Sequence, residues 1–297
     1  MPLQLPKYHY KKEDGLVKPA TDVSHILRSN GVPCVLYGIG RYLELLGREE
    51  GENKDVEFLI PDEYMDKAIE VLRALGPDDT QIDETQEELD YESLKTFLCC
   101  NRQPNYRFWY RGTAQDKETG HDHLLHIGLF LQSQYLWWLP SNSILLADKG
   151  YYGSQYMLAS DPGLPGYPPY RQTRFSPIDP PVLMLTPTAY VESLIYQHAR
   201  DSELLGPDAD LSSAKSNCVL PWIHESVPLL KDDPLLDITN FDRFDEYIKP
   251  LWMCYNAATE AEDYDEYHKR TKRLGKKLAK EGKLPKMPES WTYKPGF

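Results

Sequence analysis

The sequence lacks the features that mark membrane and secreted proteins. It has no uninterrupted apolar run of about 18 residues, so no membrane-spanning helix and no membrane partner are predicted. Residues 1–15 contain no apolar core of the kind that a secretory signal carries. The five cysteines are odd in number, and none has the C-x-x-C spacing of a zinc or redox motif. These absences predict a cytoplasmic protein whose cysteines are all free and structural.

The chain is also poor in positive charge. Its formal net charge is −13 and its pI is near 5.1, so the chain as a whole repels the phosphates of nucleic acid. A polynucleotide partner is therefore not expected. The phosphate-loop pattern G-x-x-x-x-G-K-[ST], the H-E-x-x-H pattern and the G-x-S-x-G pattern are all missing. Their absence argues against a P-loop nucleotidase, a zinc protease and a serine hydrolase of the usual kinds.

What the chain does contain is enough apolar sequence for a large core. Hydrophobic residues make up 41% of the 297 residues, and tyrosine is abundant with 21 copies. Strand patterns and helix patterns mix up to about residue 205, and only helical periodicity follows. We therefore predict an α+β fold: a mixed β-sheet core flanked by helices, with a C-terminal helical region. The predicted segments are a loosely held arm at 1–20, an α/β core at 21–205 and a helical region at 206–297.

The core is organised around residues 31–60. An apolar run from Cys34 to Tyr37 predicts a buried strand, and Gly38 and Gly40 allow a sharp turn into a short helix ending at Leu46. A second strand is predicted over Asp55–Ile60. Side chains two apart on a strand share one side of the sheet, so Asp55 and Glu57 are expected to point the same way. Two such carboxylates beside a glycine turn could hold Mg²⁺ and a triphosphate.

This arrangement resembles the nucleotidyltransferase-fold superfamily, and in particular a largely uncharacterised group of fungal nucleotidyltransferase-like proteins. The resemblance extends over roughly residues 20–200. It implies the fold more specifically than it implies an activity. The segments that carry it are 31–47, 55–62, 123–126 together with 135–140, 157–161 and 190–195.

Two departures from that family pattern affect the expected chemistry. The turn reads Gly38-Ile-Gly-Arg41, which places bulk where active relatives present bare backbone to phosphates. A third carboxylate is expected on a later strand, and the position that would carry it is Gly128. With only two carboxylates the shared ligand of a two-metal site is missing. The resemblance therefore implies a scaffold whose metal and nucleotide site is degenerate.

His126 is the other residue expected near this site. It lies on the predicted strand 122–132 and is expected to face the same side as Asp55 and Glu57, where it could act as acid, base or hydrogen-bond donor. A zinc site built from His121, His123 and His126 is disfavoured, because His126 falls on the opposite face of the strand from the other two. Packing in the core is the alternative role for His126. Trp137 and Trp138 are expected to plug the sheet or to wall a pocket.

The remaining segments have simpler interpretations. Apolar spacing predicts four helices. The first begins at Thr21 or Asp22 and ends at Asn30-Gly31, and the second begins at Asp62 and ends at Gly76. The third begins at Thr186-Pro187 and ends at Ala199–Asp201, and the fourth covers 259–281. The acidic stretch 77–92 is expected to be a solvated loop. The proline-rich stretch 161–187 could be a lid or a passive linker. The basic residues of the last helix are expected to form a solvated face.

Three functions are compatible with these observations. The favoured one is an enzyme that binds and transforms a small organic molecule in fungal secondary metabolism, as a cyclase, isomerase or pericyclase, without metal, nucleotide or other cofactor. The first alternative is an active nucleotidyltransferase using Mg²⁺ and ATP, with Asp55 and Glu57 as metal ligands; the second is a non-catalytic interaction protein. The sequence does not determine the oligomeric state. In the favoured case Arg41, His126 and Tyr37 are the catalytic candidates, and the ligand-binding candidates are Gly38, Gly40, Asp55, Glu57, Trp137 and Trp138.

Overall fold

The structure is a computed structural model that describes residues 8, 17–38, 55–76, 104–115, 122–164, 175–204, 220, 237–259 and 261–286. Its α+β character and its C-terminal helices confirm the predicted fold class. None of the helices in this part of the chain is long and apolar enough to cross a bilayer. The strands are β1 (Val35–Leu36), β2 (Asp55–Ile60), β3 (Tyr106–Gln115), β4 (Asp122–Leu131), β5 (Tyr156–Leu158) and β6 (Leu183–Leu185). The helices are α1 (Val17–Ser29), α2 (Met65–Leu75), α3 (Gln132–Tyr135), α4 (Ser143–Asp148), α5 (Pro187–Leu204), α6 (Lys249–Ala257) and α7 (Ala261–Lys280).

The chain divides into two compact units. The first contains all six strands with α1, α2 and α4, and the second contains residues 133–140 and the helices α5, α6 and α7. Helix α5 thus groups with the helices that follow it. The domain boundaries predicted at 20/21 and 205/206 stay predictions.

The six strands form one mixed sheet in the order β3-β4-β2-β1-β6-β5. At its centre β1 runs antiparallel to β2, and β2 runs parallel to β4, with Asp55 opposite His126 and Glu57 opposite Gly128. On the outer side of β4, β3 pairs antiparallel and places Arg107 opposite Gly128. Paired residues on neighbouring strands share a face of the sheet. The register therefore decides which polar groups meet.

Helix α1 begins at Val17, four residues before the predicted start at Thr21. Pro19 is compatible with this start because a residue in the first turn needs no N–H for the helix. The Thr21 hydroxyl donates to the Val17 carbonyl at 2.9 Å and so lies inside the helix instead of capping it. The predicted end is confirmed, since Gly31 adopts φ +71° and the Val32 N–H returns to the Leu27 carbonyl at 2.9 Å.

Helix α2 confirms its predicted apolar stripe. Its five predicted core residues are all buried, namely Met65, Ala68, Ile69, Leu72 and Leu75. Cys34, on the chain leading into β1, is also fully buried, and burial raises the pKa of its thiol to about 12. This thiol is protonated at neutral pH, as expected for a structural cysteine.

Helix α5 does not end at Ala199–Asp201 as predicted but continues to Leu204. The prediction was wrong because Arg200 and Asp201, which look like polar helix-end residues, are fully buried and form an ion pair with each other, Nε to Oδ1 at 2.9 Å. Every residue from Pro187 to Asp201 is buried. A buried charge needs a partner, and Arg200 and Asp201 of α5 supply one to each other.

Several predicted features lie outside the described residues. They are the short helix over 40–46, the acidic stretch 77–92, Gly40, Arg41, His121 and residues 165–174 of the proline-rich stretch, whose described parts, 161–164 and 175–187, include β6.

Candidate functional site

One face of the sheet carries the carboxylate motif. Asp55 and Glu57 lie two apart on β2, and the parallel register puts His126 beside Asp55 and Gly128 beside Glu57. Arg107 on β3 lies on the far side of Gly128. This register agrees with the side expected for His126, whose role in the site stays a prediction. The face thus holds two acidic positions, an imidazole and a guanidinium within three adjacent strands.

Glu57 is folded tightly against the end of β1. It is only 5% exposed, and the Tyr37 N–H donates to its backbone carbonyl at 2.9 Å. A Cβ atom at Gly38 would lie 3.0 Å from Glu57 Oε2 and 3.2 Å from Glu57 Cβ. Carbon atoms attract at ~3.5–4.0 Å, so any larger residue at position 38 would push the carboxylate away. Gly38 is therefore explained by its contact with Glu57.

Gly128 occupies the position where the resemblance leads one to expect a third carboxylate. A Cβ atom there would lie 3.2 Å from Pro104 Cβ, 3.3 Å from a Phe130 ring carbon and 3.4 Å from Glu57 Cγ. All three distances fall below the ~3.5–4.0 Å optimum for carbon contacts. An aspartate at 128 would have to displace one of these neighbours. The residues present on this face therefore do not fit a metal site that needs a carboxylate from β4.

The predicted catalytic residues on this unit differ in exposure. Tyr37 is 2% exposed, and its ring packs edge-on against Phe130 with centroids 6.2 Å apart. His126 is half-buried. Where the structure describes side chains, no three His, Cys, Asp or Glu residues are grouped so that they could hold a metal ion. The roles assigned to Tyr37 and His126 stay predictions.

Trp137 and Trp138 belong to the second unit, whereas the carboxylate motif belongs to the first. Trp138 stacks on Tyr196 with ring centroids 4.6 Å apart, and Trp137 packs edge-on against Trp138 at 5.0 Å. The Arg200 guanidinium carbon lies 4.9 Å from the centroid of the Trp137 ring, a cation–π distance. Both tryptophans are half-buried, so they combine a packed side with an accessible one.

Glu192, which is buried, and Asp245, which is half-buried, lie beside Tyr196. The Tyr196 hydroxyl donates to Asp245 Oδ1 at 2.7 Å, and the Asp245 N–H donates to Glu192 Oε1 at 2.6 Å. Burial, with the nearby Asp245 charge as a smaller cause, raises the pKa of Glu192 to about 7, although the hydrogen bond from Asp245 opposes the shift. Burial and the Asp245 carboxylate raise the pKa of Tyr196 as well. Glu192 is therefore a carboxyl group that exchanges its proton near neutral pH.

Sequence reasoning missed Glu192, Tyr196, Arg200 and Asp245 as members of one cluster. A signal for Glu192 was present: it stands among apolar residues in 190–195, one of the segments that carry the family resemblance. No signal connected it to Asp245, which is 53 positions away along the chain.

No protein-family model matches the chain, and no curated protein matches it. Among solved structures, the crystal structure of an antigenic nucleotidyltransferase-like protein from Paracoccidioides brasiliensis is similar, with 13% sequence identity and a TM-score of 0.36. The similarity covers 86% of this chain and 93% of that chain. It concerns the fold alone, and no residue role follows from it.

The raised pKa of Glu192 predicts a pH-dependent stability. Because the folded-state pKa of about 7 lies above the ordinary 4.5, the folded state holds the proton more tightly. This contribution to stability is fully present below pH ~4.5 and is lost as pH rises through ~7, by roughly 3 kcal/mol in total. Glu192→Gln keeps a neutral acceptor for the Asp245 N–H. The free energy of unfolding of this variant, measured in urea from pH 5 to 8, should exceed that of the natural chain increasingly as pH rises.

Glu246→Gln is the matched control, because it removes the same charge from an exposed side chain next to Asp245. It should leave the pH slope unchanged. Parallel stability curves for the natural chain and Glu192→Gln would contradict the assignment of a neutral Glu192.

Proposed function

We propose that this chain is a nucleotidyltransferase-like protein that has lost nucleotidyl transfer and instead binds and transforms a small organic molecule. The observation that carries the proposal is Gly128. It lies directly beside Glu57 in the sheet register, where a third carboxylate is expected, and Pro104 and Phe130 would have to shift to admit such a side chain. A metal-dependent phosphoryl transfer depends on ligands that fix the ions, and this face supplies one ligand fewer.

The groups that remain favour chemistry by proton transfer and by shape. Asp55 and His126 occupy opposite register positions on β2 and β4, and an aspartate and a histidine are a common acid–base combination. Arg107 lies on the same face and adds a fixed positive charge that can stabilise a developing negative charge. Arg41 and Tyr37 are the further candidates from the sequence. An isomerase, cyclase or pericyclase needs only such groups and a surface that holds the substrate near its reactive conformation.

These three reaction types share a signature, because the product has the same molecular formula as the substrate. The purified protein, incubated with a fungal metabolite extract and EDTA, should produce a compound of unchanged mass and altered retention in liquid chromatography coupled to mass spectrometry. His126→Ala should reduce the conversion at least ~100-fold, the usual contribution of a positioned acid or base. The extract is fungal because the sequence resemblance suggests a role in fungal secondary metabolism.

A calorimetric titration with ATP and Mg²⁺ tests the alternative directly. No heat of binding is expected up to about 1 mM ATP, the upper end of ordinary enzyme affinities. Micromolar binding that Asp55→Asn abolishes, together with nucleotide transfer to any acceptor, would overturn the proposal in favour of an active nucleotidyltransferase. Binding of neither nucleotide nor metabolite would favour an interaction protein.

A further inference from the structure

Two histidines of the second unit meet where α5 packs against α7. His198 lies on α5 and is 4% exposed, whereas His268 lies on α7 and is half-buried. Their ring centroids are 5.3 Å apart, and the ring planes are inclined by 66°. The carboxylate motif of the sheet belongs to the first unit, so the proposed function does not use these two residues. We call them the histidine pair.

Packing around the histidine pair fixes the position of both rings. The fully buried ring of Tyr267 lies 5.9 Å from the His198 ring and 5.3 Å from the His268 ring, centroid to centroid. Two turns after His268, Gly275 brings the backbone of α7 against the carbonyl of Ala199 on α5. The two imidazoles thus belong to a packed interface between helices. A ligand that needs both rings finds them already in place.

His198 has a nitrogen atom that the packing does not use. Its Nδ1 is buried, and among the described residues it has no hydrogen-bond partner. An unpaired polar atom in the interior costs free energy, so its presence needs an explanation. Burial, with His268 as the smaller cause, lowers the pKa of His198 to about 3, so this ring is neutral at physiological pH. A neutral imidazole has a nitrogen lone pair available for a metal ion.

The separation of the two rings matches the one that a shared metal ion requires. In zinc sites the metal–nitrogen distance is about 2.0–2.1 Å, which puts the ion ~3.2 Å from the centre of each imidazole ring. At a tetrahedral angle, the centres of two such rings are ~5.2 Å apart. The observed distance is 5.3 Å. Imidazole lone pairs lie in the ring plane, so rings inclined by 66° can point at one ion, whereas rings stacked face to face cannot.

We propose that the histidine pair binds a divalent transition-metal ion, which links α5 to α7. Imidazole nitrogen suits Zn²⁺, Cu²⁺ and Ni²⁺, whereas Mg²⁺ and Ca²⁺ prefer oxygen ligands. In the part of the chain that the structure describes, no third histidine, cysteine, aspartate or glutamate joins the pair in a metal-binding group. The ion therefore keeps water at its other positions, and its affinity is lower than that of a structural site with four protein ligands.

The test is a calorimetric titration of the untagged full-length protein with Zn²⁺, for which saturable binding is expected. His268→Gln removes one of the two ligands and should weaken this binding at least tenfold, because the loss of a residue that only orients a ligand already costs about 10–100-fold. The matched control is His25→Gln, which removes an exposed histidine of α1 and should leave the affinity unchanged. Circular dichroism verifies that both variants keep their helices.

Zn²⁺ should also stabilise the folded chain, because unfolding separates α5 from α7 and so destroys the site. At a Zn²⁺ concentration about 100 times the dissociation constant, the ratio of folded to unfolded protein in urea should rise by that same factor. The rise is expected for the natural chain and for His25→Gln, and it should be almost absent for His268→Gln at the same Zn²⁺ concentration.

Three results would overturn the proposal. One is the absence of saturable Zn²⁺ binding. Another is an equal affinity of the natural chain and His268→Gln, which would place the ion at other residues. The third is binding that leaves the stability in urea unchanged, because the ion would then bind the unfolded chain as well as the folded one.

Discussion

Replacing Gly275 by alanine is expected to destabilise the helical unit by about 3 kcal/mol, the upper end of the usual range for overpacking. A Cβ atom at this position would lie 2.1 Å from the carbonyl oxygen of Ala199 and 3.0 Å from its carbonyl carbon. Both atoms belong to the backbone of α5, which is buried around this point and cannot move aside locally. The only way to admit the methyl group is to separate α5 from α7.

Helix propensity alone predicts the opposite change in stability, so this variant distinguishes the effect of packing from the effect of propensity. In the interior of a helix, glycine to alanine normally gains ~1 kcal/mol. Urea denaturation followed by circular dichroism should nevertheless give a lower midpoint for Gly275→Ala than for the natural chain. Ala279→Gly is the matched control, because Ala279 is exposed one turn later on the same helix and should lose only the propensity difference. A Gly275→Ala variant as stable as the natural chain would mean that the two helices do not touch here.

Some strands of the sheet could be predicted because their signals are local, whereas β5 was not predicted and β6 lies in the stretch interpreted as a lid or a linker. The alternation of apolar residues over Asp55–Ile60, followed by Pro61, fixes both ends of β2. The run from Tyr106 marks the start of β3 for the same reason. Which residues of β4 share a face with His126 follows from counting, since side chains alternate. The pairing of Glu57 with Gly128 adds what counting cannot provide, namely the register between two strands.

The helices of the second unit were predicted, but the contacts between them were not, because those contacts join residues far apart in the chain. Arg200 donates through Nη1 to the carbonyl of Gln134, 66 positions earlier in the chain. In sequence, Arg200 and Asp201 look like a polar end of a helix, and only this contact and their mutual ion pair reveal a buried position. In sequence, Gly275 likewise looks like a residue that lowers the stability of α7. Only the contact with Ala199 of α5 shows why the position needs glycine. Trp137 and Trp138, which were expected to plug the sheet or to wall a pocket, lie in the second unit against Tyr196 and Arg200.

The second large effect is expected from Asp201→Asn. Arg200 and Asp201 are both fully buried, and the carboxylate is the counter-charge that Arg200 Nε contacts at 2.9 Å. Removing one partner of a buried ion pair leaves an uncompensated charge, which typically costs 3–5 kcal/mol, about as much as a small core cavity. The cation–π contact with Trp137 remains but offsets only part of that cost. Urea denaturation at neutral pH should show the loss as a shifted midpoint with an unchanged slope.

The double variant Arg200→Met/Asp201→Asn separates the cost of an unpaired charge from the value of the pair. Since methionine removes the charge that asparagine leaves uncompensated, the double variant should lose less free energy of unfolding than the sum of the two single variants. Asp242→Asn is the control, because Asp242 pairs with Lys249 on the surface, where solvent screens the interaction, and it should hardly move the midpoint. If Asp201→Asn behaves like Asp242→Asn, water reaches Arg200. The account of α5 as a buried helix that pairs its own charges is then wrong.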